Sequence, residues 1–143
     1  MPRIVATCCL AIFAALMVVG VVSHGILRHV VQTAPLWPAV VLGLRRDWLA
    51  KFCALPCFVI WLFLMVNIWL YLLGYPHILS GTFTQTEVAM TLVVGAAAVA
   101  GIVEALRVRT SAKASAAAAA LTVMTAVQLV ALRISFLPGV AHD

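Results

Sequence analysis

From Cys53 to Leu73 the chain carries no charged residue, and three further runs, Ile4–Val22, Val88–Leu106 and Ala114–Leu132, come close to the same character. A helix needs about 20 mostly apolar residues to cross a hydrocarbon core of about 30 Å, and each run approaches that length. Cys53–Leu73 is the most apolar and holds Trp61, Trp69 and Tyr71. Val88–Leu106 is uncharged until Glu104, and Ala114–Leu132 is alanine-rich but also uncharged. Composition removes the soluble alternative: hydrophobic residues make up 66% and charged residues 9% of the 143, where a soluble domain carries about 25% charged. One small core cannot hide that much apolar surface, so lipid must be the solvent for most of the chain. The predicted fold class is all-α, a polytopic α-helical transmembrane bundle. It has four spans (about 4–22, 53–73, 88–106 and 114–132) plus one short or broken proline-containing segment, in a single integral membrane domain over 1–143.

That fifth segment, Val30–Gly43 (30–44 at its widest), is apolar apart from Gln32 and Thr33 but is interrupted by Pro35 and Pro38. At 1.5 Å per residue it falls short of the hydrocarbon core. It reads either as a thin fifth span or as a re-entrant or interfacial segment, since irregular backbone survives at membrane depth only where protein or water satisfies it.

The net charge of +5 belongs to topology rather than to nucleic acid, because the basic residues gather in short loops and no nucleic-acid fold signature is present. Arg45, Arg46 and Lys51 form one cluster and Arg107, Arg109 and Lys113 another, while Gly74–Glu87 between them has no Lys or Arg. Positive-inside placement puts loops 45–52 and 107–113 in the cytoplasm and Gly74–Glu87 on the other side. With five spans Arg3 is inside and Arg28 outside; with four the reverse holds. Of the nine Lys and Arg, seven fall inside either way. The amino-terminal charge beside Arg3 favours five spans, and the double-proline segment favours four. Compactness and charge asymmetry point to a bacterial cytoplasmic (inner) membrane.

The first 25 residues resemble a signal peptide in outline, but the apolar run is long and no A-x-A-like site follows, so an uncleaved anchor is expected. Thr84-Gln85-Thr86-Glu87 has the spacing of a capping box directly before Val88. Glu104 and Arg107 sit three apart, close enough to pair at the headgroup boundary. Trp48 beside a basic cluster and Tyr75 beside the outer loop suit aromatic belts.

Candidate sites are sparse. Cys8-Cys9 is a vicinal pair, and Cys53 and Cys57 share a helical face at i, i+4. Soft thiolates suit Hg(II), Cu(I) or Zn(II); the plainer reading is that cysteine serves as a small buried hydrophobe. A vicinal pair in a first span followed by a second pair near a cytoplasmic loop resembles the arrangement in mercuric-ion transport proteins. The resemblance covers these two pairs alone. The second pair lies inside the membrane boundary, and flanking residues and span count differ, so it assigns no family and implies only thiolate chemistry for a soft metal. His24, His29, His77 and His142 fall on the outer side in the five-span arrangement, but their spacing matches no metal motif.

The most informative polar feature is His24, Arg28 and Gln32, spaced i, i+4, i+8 along one helical face that His29 and Thr33 extend. Such a stripe is costly in an apolar segment unless it meets water, lipid headgroups or a partner. It reads either as a snorkelling interfacial helix or as a headgroup, anion or partner site centred on the arginine. Asn67 and Gln128 are interhelical glue, and Gly95, Ala97 and Gly101 allow close helix packing.

With Asp47, Glu87, Glu104 and Asp143 as the only acids, carboxylate-pair catalysis and oxygen-ligand metal cages have little to draw on. Phosphate loops, nucleophile elbows and zincin helices are missing, and no cofactor is implied. The expected function is a non-enzymatic one, an accessory or scaffold subunit in a lipid bilayer that contacts other membrane subunits or a second copy. A small transporter or channel, with Cys8, Cys9, Cys53 and Cys57 relaying a soft metal, is the alternative.

Overall fold

The computed structural model describes residues 2–108 and 113–141; Arg109, His142 and Asp143, named above, lie outside the described residues. Helix accounts for 81% of the described residues, and no strand occurs among them. Among the described residues seven helices follow one another: α1 (Pro2–Val22), α2 (Ile26–Thr33), α3 (Leu36–Leu44), α4 (Leu49–Leu72), α5 (Gln85–Arg107), α6 (Ala114–Ser135) and a final turn, α7 (Pro138–Ala141). Four of them, α1, α4, α5 and α6, are long and apolar enough to cross a membrane.

Helix boundaries follow local chemistry. α5 starts where its capping box forms: the Thr84 hydroxyl accepts from the Glu87 amide at 3.3 Å, and Glu87 Oε2 accepts from the Thr84 amide at 2.7 Å. Two amides otherwise orphaned at a helix start are thereby satisfied. α4 begins at Leu49, before the uncharged run, because Asp47 Oδ1 accepts from the Leu49 amide at 2.9 Å and Lys51 reaches back along the bundle to the Val108 carbonyl. The helix therefore absorbs its flanking cation, whose long stem can snorkel.

Three helix ends stop in the same way. After α1, α3 and α4 the chain enters the left-handed region at His24 (φ 54), Arg46 (φ 60) and Gly74 (φ 77). The next amide then reaches back five residues, as in Gly25 N–H to the Gly20 carbonyl at 2.9 Å and Tyr75 N–H to that of Leu70, also at 2.9 Å. This Schellman arrangement satisfies carbonyls left over at a helix end and favours glycine at the left-handed position. His24 and Arg46 hold it without that advantage. Since a side chain there costs roughly 1–2 kcal/mol, His24→Gly is expected to raise the melting temperature of the purified chain in detergent. An unchanged or lower value would show that the His24 ring contributes contacts that outweigh its backbone strain.

The double-proline segment is longer and more regular than its sequence suggests. Helical backbone persists through Ala34 (φ −50, ψ −40) and Pro35 (φ −65, ψ −14). Ala34 N–H is shared between the Val30 and Val31 carbonyls, covering the acceptor that the Pro35 imide cannot serve. Pro38 lies in the first turn of α3, where an amide has no intrahelical partner anyway. So only Pro35 introduces a kink. Ile26–Leu44 forms one bent arm of about 28 Å at 1.5 Å per residue, close to the thickness of a hydrocarbon core.

The arm packs along α1, α3 packs against α4, and α2 against α6. α5 lies against both α1 and α4. Along the α4–α5 seam Trp69 meets Thr91, Phe58 meets Gly101, and Lys51 meets Val108, so the two run antiparallel. Gln128 and Ser135 on α6 meet Gln32 on α2, which places the end of α6 beside the start of the arm. α1, α4 and α6 thus run one way and the arm and α5 the other. Arg3, Arg45, Arg46, Lys51, Arg107 and Lys113 gather at one end of the bundle. Arg28 and Arg133 lie at the other. Between them sits a core of Val5, Ile12, Leu36, Phe58, Trp61 and Val94 with their neighbours.

Candidate functional site

At the non-basic end the helices do not close on one another. They leave a cleft of about 360 Å³ bounded by the end of α1, α2, α4, α5, the end of α6 and the loop Leu79–Phe83. Gly20 makes this possible by letting the chain turn tightly: a Cβ there would come within 3.2 Å of Ile26 Cα and 3.3 Å of His29 Nδ1. The turn brings α2 against α1 with His29 inward. His29 Nδ1 lies 2.8 Å from the Gly25 carbonyl, an acceptor, so this nitrogen carries the proton and donates.

Arg28, His29 and Gln32 project from α2 into the cleft wall. The Arg28 guanidinium lies over the Phe136 ring at 4.7 Å, a cation–π contact, while its Nε is buried without a hydrogen-bond partner. Gln32 Nε2 donates to Ser135 Oγ at 3.0 Å, and Gln128 Nε2 donates to the Gln32 carbonyl at 3.2 Å. This pins α6 to α2 beneath the cleft. Gln128 Oε1 is left without a partner although the residue is fully buried.

The opposite wall carries Glu87, 9% exposed, and Thr91. One Glu87 oxygen, Oε2, is held by the Thr84 amide and by the Thr84 hydroxyl, the latter at 2.8 Å. Thr91 Oγ accepts from Trp69 Nε1 at 2.9 Å and donates to the Val88 carbonyl at 2.7 Å. Trp61 on α4 forms part of the wall; it is 3% exposed and its Nε1 has no partner. Among the described residues neither Arg28 nor Glu87 enters an ion pair, with the other or with any third group. The loop over the cleft is tied down by Asn67, whose Oδ1 accepts from the Ile78 amide at 3.3 Å, and by Phe83 against Tyr71 at 6.0 Å. The arrangement offers recognition: a guanidinium, an imidazole, a carboxamide and a carboxylate around a pocket whose deeper walls are apolar.

The stripe His24–Arg28–Gln32 is shorter in the fold than on a helical wheel. His24 occupies the left-handed turn before α2 and is not in the cleft wall, because the helix begins only at Ile26. Thr33 lies behind the cleft, donating to the His29 carbonyl at 2.8 Å. His77 stays on the loop between α4 and α5, its Nδ1 2.8 Å from the Tyr75 carbonyl and its ring edge-on to Tyr71 at 4.8 Å.

Cys8, Cys9, Cys53 and Cys57 are free and buried in the apolar core between α1 and α4. Cys57 Sγ faces the carbonyls of Cys53 at 3.7 Å and Pro35 at 3.9 Å. Among the described residues no group of three or more His, Cys, Asp or Glu converges to hold a metal ion. Gly95 lies against Trp69 and Gly101 against Phe58, with Ala97 packed on the core. Asn67 bonds the Phe63 carbonyl of its own helix at 2.9 Å as well as the α4–α5 loop, whereas Gln128 does bridge two helices.

Glu87, Thr91, Trp61 and Phe136 join the cleft by tertiary contact alone, and no spacing in the sequence links them to α2. No protein-family model, curated protein or solved structure matches the chain.

Proposed function

We propose that the chain is a five-pass integral membrane protein with a non-enzymatic role, an accessory or scaffold subunit whose cleft engages a headgroup or partner at the face opposite its basic loops. The observation that carries this reading is the outward apolar surface of the long helices. Val59, Phe63, Leu92, Val123 and Val130 are 50%, 53%, 58%, 57% and 56% exposed. Contiguous apolar surface on this scale requires lipid or other helices. α6 supports the subunit role: only Met124, Gln128, Ala131 and Ser135 are buried on it, and Ala118, Thr122 and Ala126 form a small-residue line on its free face, which suits close approach of a neighbouring helix.

The bent arm supplies the fifth crossing. With it, Arg3 joins Arg45, Arg46, Lys51, Arg107 and Lys113 on one side, the side that positive-inside placement assigns to the cytoplasm. A bacterial inner membrane fits this asymmetry. Alkaline-phosphatase fusions after Gly25 and after Asp143 are expected to be active, and one after Arg46 inactive. An inactive Gly25 fusion overturns the five-pass arrangement. Purification in mild detergent is expected to retain a partner or a second copy, and a lone monomer overturns the subunit role.

Arg28 lines the cleft and Arg133 does not. Arg28→Ala is therefore expected to lose co-purifying lipid or partner severalfold more than Arg133→Ala. Equal retention by both variants removes the cleft from the function.

A further inference from the structure

Resting on that reading of the cleft as a binding site, we propose that its ligand is a small zwitterion, an oxyanion held at Arg28 with a primary ammonium held at Glu87. Arg28 and Glu87 line the same cleft of about 360 Å³, yet among the described residues neither has a counter-ion. Opposite charges in one partly dehydrated space attract, and two that stay apart there each lack the counter-ion that would offset the cost of their desolvation. A ligand with one charge of each sign satisfies both ends at once. A plain anion satisfies Arg28 but adds a like charge facing Glu87, and a plain cation does the reverse.

The donors and acceptors on each wall agree with that polarity. On the α2 side Arg28 Nε is buried and unpartnered, and a guanidinium offers a planar fork that matches phosphate or carboxylate oxygens. On the α5 side Glu87 engages only Oε2 with Thr84, so its second oxygen remains an acceptor for an ammonium. Trp61 Nε1 is a further donor without a partner in the same wall. Deeper walls from Leu16, Val19, Ile68, Met90 and Val94 are apolar and suit the carbon skeleton of the ligand. The phosphoethanolamine headgroup of a lipid and a free amino acid share this chemistry.

The full chain is purified in dodecyl maltoside and its adducts are read by native mass spectrometry. Dioleoyl phosphatidylethanolamine, phosphatidylglycerol and phosphatidylcholine are offered at equal concentration. Phosphatidylethanolamine is expected to be retained about tenfold over the other two, since one lacks the ammonium and the other carries a methylated head that cannot donate. Arg28→Gln and Glu87→Gln should each lower retention about tenfold, and Arg28→Lys should recover most of it. Glutamine at Glu87 preserves the capping box, so that variant folds, and Arg133→Gln should change nothing.

Displacement of bound phosphatidylethanolamine by free O-phosphoethanolamine assigns recognition to the headgroup. Thermal stabilisation by L-alanine instead, with the same dependence on Arg28 and Glu87, assigns a water-soluble zwitterion. Equal retention of all three lipids with no response to either free zwitterion overturns the proposal, as does binding indifferent to both variants. A chain washed from membranes by alkaline carbonate overturns the membrane reading beneath it. A chain that stays in the membrane but binds no zwitterion overturns the ligand alone.

Discussion

Gly101→Val is expected to lower the stability of the purified chain by about 3 kcal/mol, the upper part of the range for overpacking a filled core. A single Cβ at Gly101 would lie 2.4 Å from Phe58 Cε2 and 2.6 Å from its Cζ. Phe58 is fully buried on α4 among Cys57, Trp61 and the arm, so its ring has nowhere to go. The helices must part, and with them the α4–α5 seam that frames one wall of the cleft. Gly95 marks the same seam nearly two turns away, where a Cβ would come within 2.4 Å of Trp69 Cη2. Gly101→Ala should show the same effect in smaller measure. Thermal unfolding in detergent, followed by circular dichroism, reads it directly. Pairing Gly101→Val with Phe58→Leu should recover part of the loss, because the shorter side chain vacates the space that valine needs. The two substitutions are in contact and should therefore be strongly non-additive. A double variant no more stable than the sum of its singles would mean that Phe58 is not what holds Gly101 small.

Which parts of this fold could be read in advance follows from what fixes them. The four long helices are legible because a membrane span demands a long uncharged run, and the run from Cys53 to Leu73 is long and apolar enough to be one. Their ends are less so. α4 starts at Leu49 rather than Cys53 because a lysine can stay helical and send its ammonium to the Val108 carbonyl. α6 continues to Ser135, past Arg133, for a similar reason: an exposed cation at a helix end does not break it. The double-proline arm is ambiguous in sequence. A proline's effect depends on its position relative to the helix start, and only the structure shows that Pro38 falls in a first turn while Pro35 bends the arm.

The cleft was half legible. Arg28, His29 and Gln32 share a local face, so periodicity finds them, and it overreaches to His24 because a wheel does not know where a helix begins. Glu87 was visible only as a capping residue. Its second role arises from the antiparallel return of α5 beside the arm, and Trp61 and Phe136 enter for the same reason. Such contacts depend on topology, which one sequence encodes only through packing.

Moving the charge asymmetry should disrupt threading more than any single substitution. In the five-pass arrangement three basic residues, Arg45, Arg46 and Lys51, hold the turn between the arm and α4 on the cytoplasmic side, and nothing basic opposes them in Gly74–Glu87. A variant with all three as Gln and with Ser80→Lys, Gly81→Lys and Thr82→Lys reverses that local balance. Each basic residue near an anionic surface is worth about 1 kcal/mol, so moving three across removes about 3 kcal/mol from the original orientation and adds about 3 kcal/mol to the inverted one, a shift of about 6 kcal/mol or about four powers of ten at tenfold per 1.4 kcal/mol. Helix packing opposes the inversion. α5 lies against α1, and α3 against α4, so a hairpin of α4 and α5 inserted upside down keeps its own seam but loses both of those. The expected outcome is a conflict: alkaline-phosphatase activity from a fusion in the Gly74–Thr84 loop falls at least tenfold, and the accumulated full-length chain falls with it. Restoring Arg45, Arg46 and Lys51 while leaving the three loop lysines should return much of the signal, since opposing clusters leave packing to decide. If activity holds at its original level with all six changes in place, the basic clusters do not set the orientation. The five-pass arrangement then rests on packing alone.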